Sequence, residues 1–197
     1  MTLPNFGALA LLTIKQPAQA AKIILSMNVG RDVLWIALAL AVVLNTLIFS
    51  LSNIVLPAGP SPIPGLLDSP VFYGGFVGGG LVLTIFALHR VGRMLGGTGS
   101  FDDVMILMVW MQFLRVTVQA LALLLVLTIP ILSVFLIFGA TIVGLFVFLH
   151  FIDQAHRLDS MMRAGGVLLA SLFAIAASFF ILLSLIGGPI MGSTPYV

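Results

Sequence analysis

The sequence predicts an all-α integral membrane bundle of five transmembrane helices, with the N-terminus cytoplasmic and the C-terminus outside. Three observations lead there. The first is composition: 61% of the 197 residues are hydrophobic, 7% are charged, and the mean hydropathy is +1.27. Soluble domains carry about a quarter charged residues, and six aspartates with eight Lys/Arg and no glutamate cannot build a water-facing surface of this size. The second is a series of five long apolar stretches, each long enough to approach or match the ~20 residues that cross a bilayer. The third is the placement of the cations, which, Arg115 apart, fall before the first stretch and on alternate connections after it.

Val33 to Leu56 contains no charge and predicts the first span. Val71 to Leu88 is shorter and glycine-rich, and closes on His89 and Arg90. Val104 to Thr128 is long but interrupted by Arg115, whereas Ile131 to Phe151 and Gly165 to Ile186 are clean. Prolines 57, 60, 62, 64 and 70 separate the first two spans with backbone that cannot continue a helix. Gly96-Gly97-Thr98-Gly99-Ser100 is a loop, and Ser100 with Asp102 and Asp103 suits the N-terminal end of the next helix. Thr128-Ile129-Pro130 is the turn signal between the third and fourth spans, which predicts a tight hairpin; the alternative is one bent or re-entrant segment. Before the first span, Pro17 can open a short helix. On it Ala20, Ala21, Ile24, Leu25 and Asn28 share an apolar face suited to lying flat on the cytoplasmic leaflet, with Lys22 near anionic headgroups. The alternative for this segment is an irregular tail. The apolar run Phe6 to Leu12 is followed by Lys15 instead of preceded by it, so it does not read as a secretory signal.

Orientation follows from charge. Lys15, Lys22 and Arg31 precede the first span, Arg90 and Arg93 lie between the second and third, and Arg157 and Arg163 between the fourth and fifth. All seven fall on one side of a five-span protein, and Asp68 is the one charged residue on the other. Lys/Arg bias in short loops marks the cytoplasmic face. The chain then divides into a cytoplasmic segment, residues 1–32, with a candidate interfacial helix; a five-helix membrane domain, residues 33–186; and an external tail, residues 187–197. Trp35 and Trp110 sit near the cytoplasmic ends of their spans, as interfacial aromatics do.

The residue that most needs explaining is Arg115, eleven positions into the third span. An arginine there costs at least ~2.5–3.5 kcal/mol on insertion scales. Gln112 and Gln119 flank it at i−3 and i+4 and complete a polar stripe, and Asn45 in the first span stands at similar depth as a candidate partner. Two readings are open. Arg115 snorkels to headgroups from a tilted helix, or the stripe lines a seam that meets an anion, a lipid headgroup or a partner's carboxylate. Gly74/Gly78 and Gly75/Gly79 have GxxxG spacing and are helix-packing candidates, within the bundle or toward another membrane protein.

Other polar groups suggest less. His150, Asp153, His156 and Arg157 gather at the end of the fourth span, with Asp153/Arg157 and Asp159/Arg163 at ion-pair spacing. Neither the paired histidines of a zincin helix nor a thiolate set is present, so no metal is expected. Residues 96–100 lack the lysine-serine/threonine pair of a phosphate loop and read as a flexible hinge. The chain contains no cysteine, and no nucleophile, base and acid stand at catalytic spacing; no cofactor and no enzymatic activity are expected.

With the spans placed, several segments resemble one known family. They are Pro17-Ala18 leading to Arg31-Asp32-Val33-Leu34-Trp35, Gly96-Gly97-Thr98-Gly99-Ser100-Phe101 opening the third helix, the Trp110–Gln119 stretch, and His156-Arg157 before the last span. Together, over roughly residues 15–186, they resemble the Yip family of five-span proteins with a cytoplasmic N-terminus. Eukaryotic members are linked to Rab GTPases and vesicle traffic through a longer N-terminal region. The short segment here is similar to the bacterial branch, which implies the bacterial inner membrane. The function expected is a non-enzymatic protein that binds membrane lipid, other membrane proteins or its own copies, as an organiser or accessory subunit, with no nucleic acid partner. The alternative is a small transporter or channel with a polar seam around Arg115.

Overall fold

The structure, a computed structural model, describes residues 5–56 and 69–191, without the side chains of residues 182–183 and 185–191. Most of the proline-rich connection at 57–68 and the tail at 192–197 lie outside the described residues. Seven helices follow one another: α1 (Phe6–Lys15), α2 (Pro17–Ser26), α3 (Arg31–Val55), α4 (Pro70–Met94), α5 (Phe101–Thr128), α6 (Pro130–His156) and α7 (Met161–Met191). Helices α3 to α7 are the five long and apolar enough to cross a membrane.

Each long helix extends past the predicted stretch at one end or both, because the ends are set by breakers and caps and not by charge. α4 carries on through His89, Arg90 and Arg93 until Gly96, whose φ of +91° only glycine adopts readily. α5 opens on a reciprocal capping box, in which the Asp103 amide donates to Ser100 Oγ and the Ser100 amide to Asp103 Oδ2, both at 3.0 Å. The α5–α6 connection is the single residue Ile129, followed by Pro130 at the first helical position, so the third and fourth spans are two helices joined by a tight turn. α6 closes with Arg157 in the left-handed region at φ 55° and a Leu158 amide to Asp153 carbonyl bond of 3.1 Å. That is the bond pattern of a Schellman end.

The long helices pack as a closed ring in which α3 meets α5, α5 meets α6, α6 meets α7, α7 meets α4 and α4 meets α3. Crossing contacts of α4 with α5 and α6 fill its middle. The packed core occupies one half of this ring. Buried side chains run from Leu34 to Asn45 on α3, Leu81 to Gly92 on α4, Val104 to Val116 on α5 and Val147 to His156 on α6. α7 adds Ala164, Val167 and Ser171. Most of these lie toward the end where Arg31, Arg93 and Arg157 gather; Ala122 of α5 and Ser133 of α6 are buried in the other half. The opposite halves expose Leu51 and Ile54, Val71 and Phe76, Leu124 and Leu127, Phe135 and Phe138, as lipid-facing helices do.

The segment before α3 is ordered as two helices that meet at Gln16-Pro17 and pack on each other. Residues 17–26 are helical where the proline predicted a helix. Their apolar face, however, buries Ala20, Ala21 and Ile24 against α6 and α5 and so faces protein instead of lipid. α1, where the sequence showed only a short apolar run, buries Leu9 and Thr13. The Trp110 indole donates to Thr13 Oγ1 at 3.0 Å, and the Phe6 ring lies 5.1 Å from that of Trp110.

Candidate functional site

Two groups of polar side chains deserve description, one inside the spans and one at the cation-rich end. Inside the spans, Asn45 of α3 is 2% exposed and fully engaged: its Nδ2 donates to Gln119 Oε1 of α5 at 2.8 Å. The Tyr73 hydroxyl of α4 donates to Asn45 Oδ1 at 3.0 Å. The Tyr73 ring stacks on Phe49 with centroids 3.8 Å apart and planes 5° from parallel. Three helices are tied at one point in a region where lipid supplies no hydrogen bonds.

Asn45, at similar depth to Arg115, is therefore satisfied by Gln119 and Tyr73. Arg115 makes no hydrogen bond or ion pair among the described residues and is exposed. Its position on α5 is nonetheless on the bundle side. Gln112 at i−3 and Ala122 at i+7 are buried, and Gln119 at i+4 reaches α3. Arg115 stands one turn from this closed polar knot. It stands thirteen residues, about 20 Å, from the Thr128 end of α5. A hydrocarbon layer of ~30 Å measured from that end leaves Arg115 roughly 10 Å inside the cation-rich boundary. Helical side chains lean toward the helix N-terminus, which here means toward that boundary.

At the cation-rich end, the residues that carried the family resemblance meet one another. Arg31 grips Asp102 with two bonds of 2.8 and 3.1 Å, and its guanidinium lies 6.0 Å from the centre of the Phe101 ring. Phe101 also meets Trp35 at 6.4 Å and the edge of His89 at 5.9 Å. Arg157 pairs with Asp103 at 3.4 Å, not with Asp153 one turn before it. Asp153 instead accepts the Ser160 amide at 2.9 Å, while Ser160 Oγ accepts the Arg163 amide at 3.4 Å as the cap of α7; Asp159 and Arg163 form no ion pair among the described residues.

The glycine loop is not a free hinge. The Thr98 amide donates to the His156 carbonyl at 2.9 Å, and three glycines enclose the His156 side chain, which is 1% exposed. A Cβ on Gly92 would fall on the imidazole, one on Gly99 on the Ala155 carbonyl, and one on Gly97 would come within 2.8 Å of both the Gly92 carbonyl and His156 Cβ. Both ring nitrogens of His156 lack a hydrogen-bond partner among the described residues. His150 lies apart, its Nδ1 at 2.9 Å from the Phe146 carbonyl. Among the described residues no three His, Asp or Glu side chains gather to hold a metal.

The two GxxxG registers of α4 separate. Gly74 and Gly78 face α3, where a Cβ on Gly74 would stand 2.8 Å from Thr46 Oγ1 and one on Gly78 3.6 Å from Val42. Gly75 and Gly79 face open space.

Compared with known families, residues 11–189 match the Yip1 domain. The chain belongs to the Yip1 domain family. No curated protein and no solved structure gave a significant match. This Yip1-family chain is thus a multi-pass membrane protein with five apolar spanning helices. The sequence showed Arg115, Gln112, Gln119 and Asn45 individually. It gave no sign of Tyr73 as the third partner, nor of Gly92 as the floor beneath His156, because both depend on which helices become neighbours. Tyr73 and Thr84 both carry hydroxyls in this otherwise apolar, glycine-rich span, and nothing local distinguishes the one that bonds Asn45.

Proposed function

We propose that this Yip1-family protein is a non-enzymatic binder of anionic membrane lipid and, through it, an organiser or accessory subunit for other membrane proteins. The observation that carries the reading is Arg115. It is exposed, without an anionic partner among the described residues, and set beside Gln112 on the bundle side of α5. An arginine offers five donors in a planar fork that fits a phosphate, and inside a membrane an ionisable side chain is costly enough to imply a partner. A headgroup phosphate of the leaflet at the cation-rich end lies within reach of a side chain leaning that way. With the bias of Lys/Arg, that leaflet is the cytoplasmic one, in keeping with a bacterial inner membrane.

The test is lipid retention. The parent protein, purified in mild detergent, is expected to hold anionic phospholipid through native mass spectrometry. Arg115→Leu should fold and elute as the parent does yet lose that lipid, and Arg115→Lys should lose part of it, since lysine keeps the charge without the fork. Equal retention by all three would make Arg115 a structural snorkelling residue. Ion or solute flux through reconstituted parent protein, abolished in Arg115→Leu, would instead favour a transporter.

A further inference from the structure

The N-terminal helical hairpin has two unlike faces. Its inner face is protein: Leu9 and Thr13 of α1 and Ala20, Ala21 and Ile24 of α2 are buried. Its outer face, on α1, is apolar and uncovered, with Leu11 52% and Ile14 53% exposed and Gly7 and Ala8 beside them. No acidic residue occurs between Asn5 and Gly30, whereas Lys15 and Lys22 are both exposed and form no ion pair among the described residues.

The depth of the hairpin is fixed by its bond to α5. Thr13 is tied to Trp110, which stands eighteen residues, about 27 Å, from the Thr128 end of that helix. A hydrocarbon layer of ~30 Å measured from the same end puts Trp110 at the junction of acyl chains and headgroups, where tryptophan is favoured. α1 lies across that junction. Lys15, two residues beyond Thr13 at the end of α1, stands at headgroup level.

We infer that the α1–α2 hairpin is a leaflet-docking element. Leu11 and Ile14 enter the acyl boundary of the leaflet at the cation-rich end, and Lys15 and Lys22 recruit anionic phospholipid there. The occupant is a lipid monolayer and not a protein, because the Thr13–Trp110 bond holds the uncovered face at the acyl–headgroup junction and the charges of the segment are all positive. In one leaflet only, the hairpin adds cross-section to the bundle. This element is separate from Arg115 and stands or falls without it.

The chain has no cysteine, so single-cysteine variants report cleanly. Leu11→Cys, Ile14→Cys and, as a water-facing reference on α2, Gln19→Cys are labelled with an environment-sensitive fluorophore. The labelled full chains are reconstituted into phosphatidylcholine vesicles containing phosphatidylglycerol. Labels at 11 and 14 should be quenched by lipid carrying a nitroxide near the top of its acyl chain and shielded from aqueous iodide; the label at 19 should do the reverse. Headgroup-nitroxide phosphatidylglycerol should quench the label at 14 several-fold more than the matching phosphatidylcholine. The Lys15→Gln, Lys22→Gln variant should bring the two lipids to parity, since each lysine near such a surface is worth about fivefold. Iodide access at 11 and 14 equal to that at 19 would overturn the inference. So would protection from both quenchers, which would mean that protein, such as a second copy, covers the face. Parity of the two lipids in the parent would remove the anionic recruitment. Repeating the depth measurement in Arg115→Leu should leave it unchanged, which separates this element from the lipid site proposed above.

Discussion

His156 determines what three other positions must be. Its side chain, with the Ala155 and Gly92 carbonyls held around it, fills the space that side chains at Gly92, Gly97 and Gly99 would need, so those glycines are required by contact and not by backbone conformation; of the four glycines in this region only Gly96 has a positive φ. Gly75, with nothing near its missing Cβ, is the natural comparison. Gly99→Ala should lower stability by roughly 1–3 kcal/mol, the usual cost of overpacking a filled interior. Gly75→Ala should be neutral or slightly stabilising, because alanine is the better helix former by about 1 kcal/mol. Thermal unfolding of the two variants in the same detergent checks this, and equal melting temperatures would show that the loop yields around His156. The two nitrogens left unpartnered in that cradle are a cost the fold carries at this point, which is a further reason for the surrounding backbone to be held closely.

At the scale of elements, the spans were legible and the joins between them only partly so. Span number, order and the α5–α6 hairpin follow from length, charge-free runs and one Ile-Pro turn, all local properties of the chain. The apolar face of α2 was legible too, but not what it packs against, because a face of Ala20, Ala21 and Ile24 suits lipid and protein alike. The polar knot was half legible for the same reason. Asn45 and Gln119 stand out in apolar helices, yet pairing them, and adding Tyr73, requires knowing that α3 sits between α4 and α5. The knot can be weighed by substitution. Tyr73→Phe keeps the stack on Phe49 and deletes one hydrogen bond, so the expected loss is about 0.6 kcal/mol, typical of interhelical bonds in membranes. Asn45→Leu leaves both the Tyr73 hydroxyl and Gln119 without their partner and should cost more, roughly 1–2 kcal/mol. The double variant should cost less than the sum of the two, as residues sharing one network do. Additive losses would mean that the tyrosine and the asparagine act independently.

For the whole molecule, the asymmetry of packing and the asymmetry of charge have one explanation. Burial of apolar surface is driven by water, and between helices surrounded by lipid that drive is missing. Measured back ~30 Å from the Thr128 end of α5, the hydrocarbon layer ends near Met108. The six residues Val104 to Val109, spread right round the helix, are all buried, as expected of a segment at or beyond that boundary that must hide every face. At the same end Arg31 and Arg157 are exposed and pair with the half-buried Asp102 and Asp103. Such pairs contribute at most about 1 kcal/mol each, so their placement says more about where water is than about what holds the fold. The seven Lys/Arg outside Arg115 belong to this end, and the bias of such residues toward the cytoplasm gives the orientation its test. Thr98 in the glycine loop is exposed at the cation-rich end, and Ile129 in the α5–α6 turn is 51% exposed at the other. In the cysteine-free chain, Ile129→Cys should react with a membrane-impermeant thiol reagent added to intact cells, and Thr98→Cys only after lysis. The opposite pattern would invert the protein in its membrane, turning the leaflet met by α1 and by Arg115 into the outer one. Reaction of both in intact cells would mean that the two turns do not lie on opposite sides, and the five-span crossing would have to be redrawn.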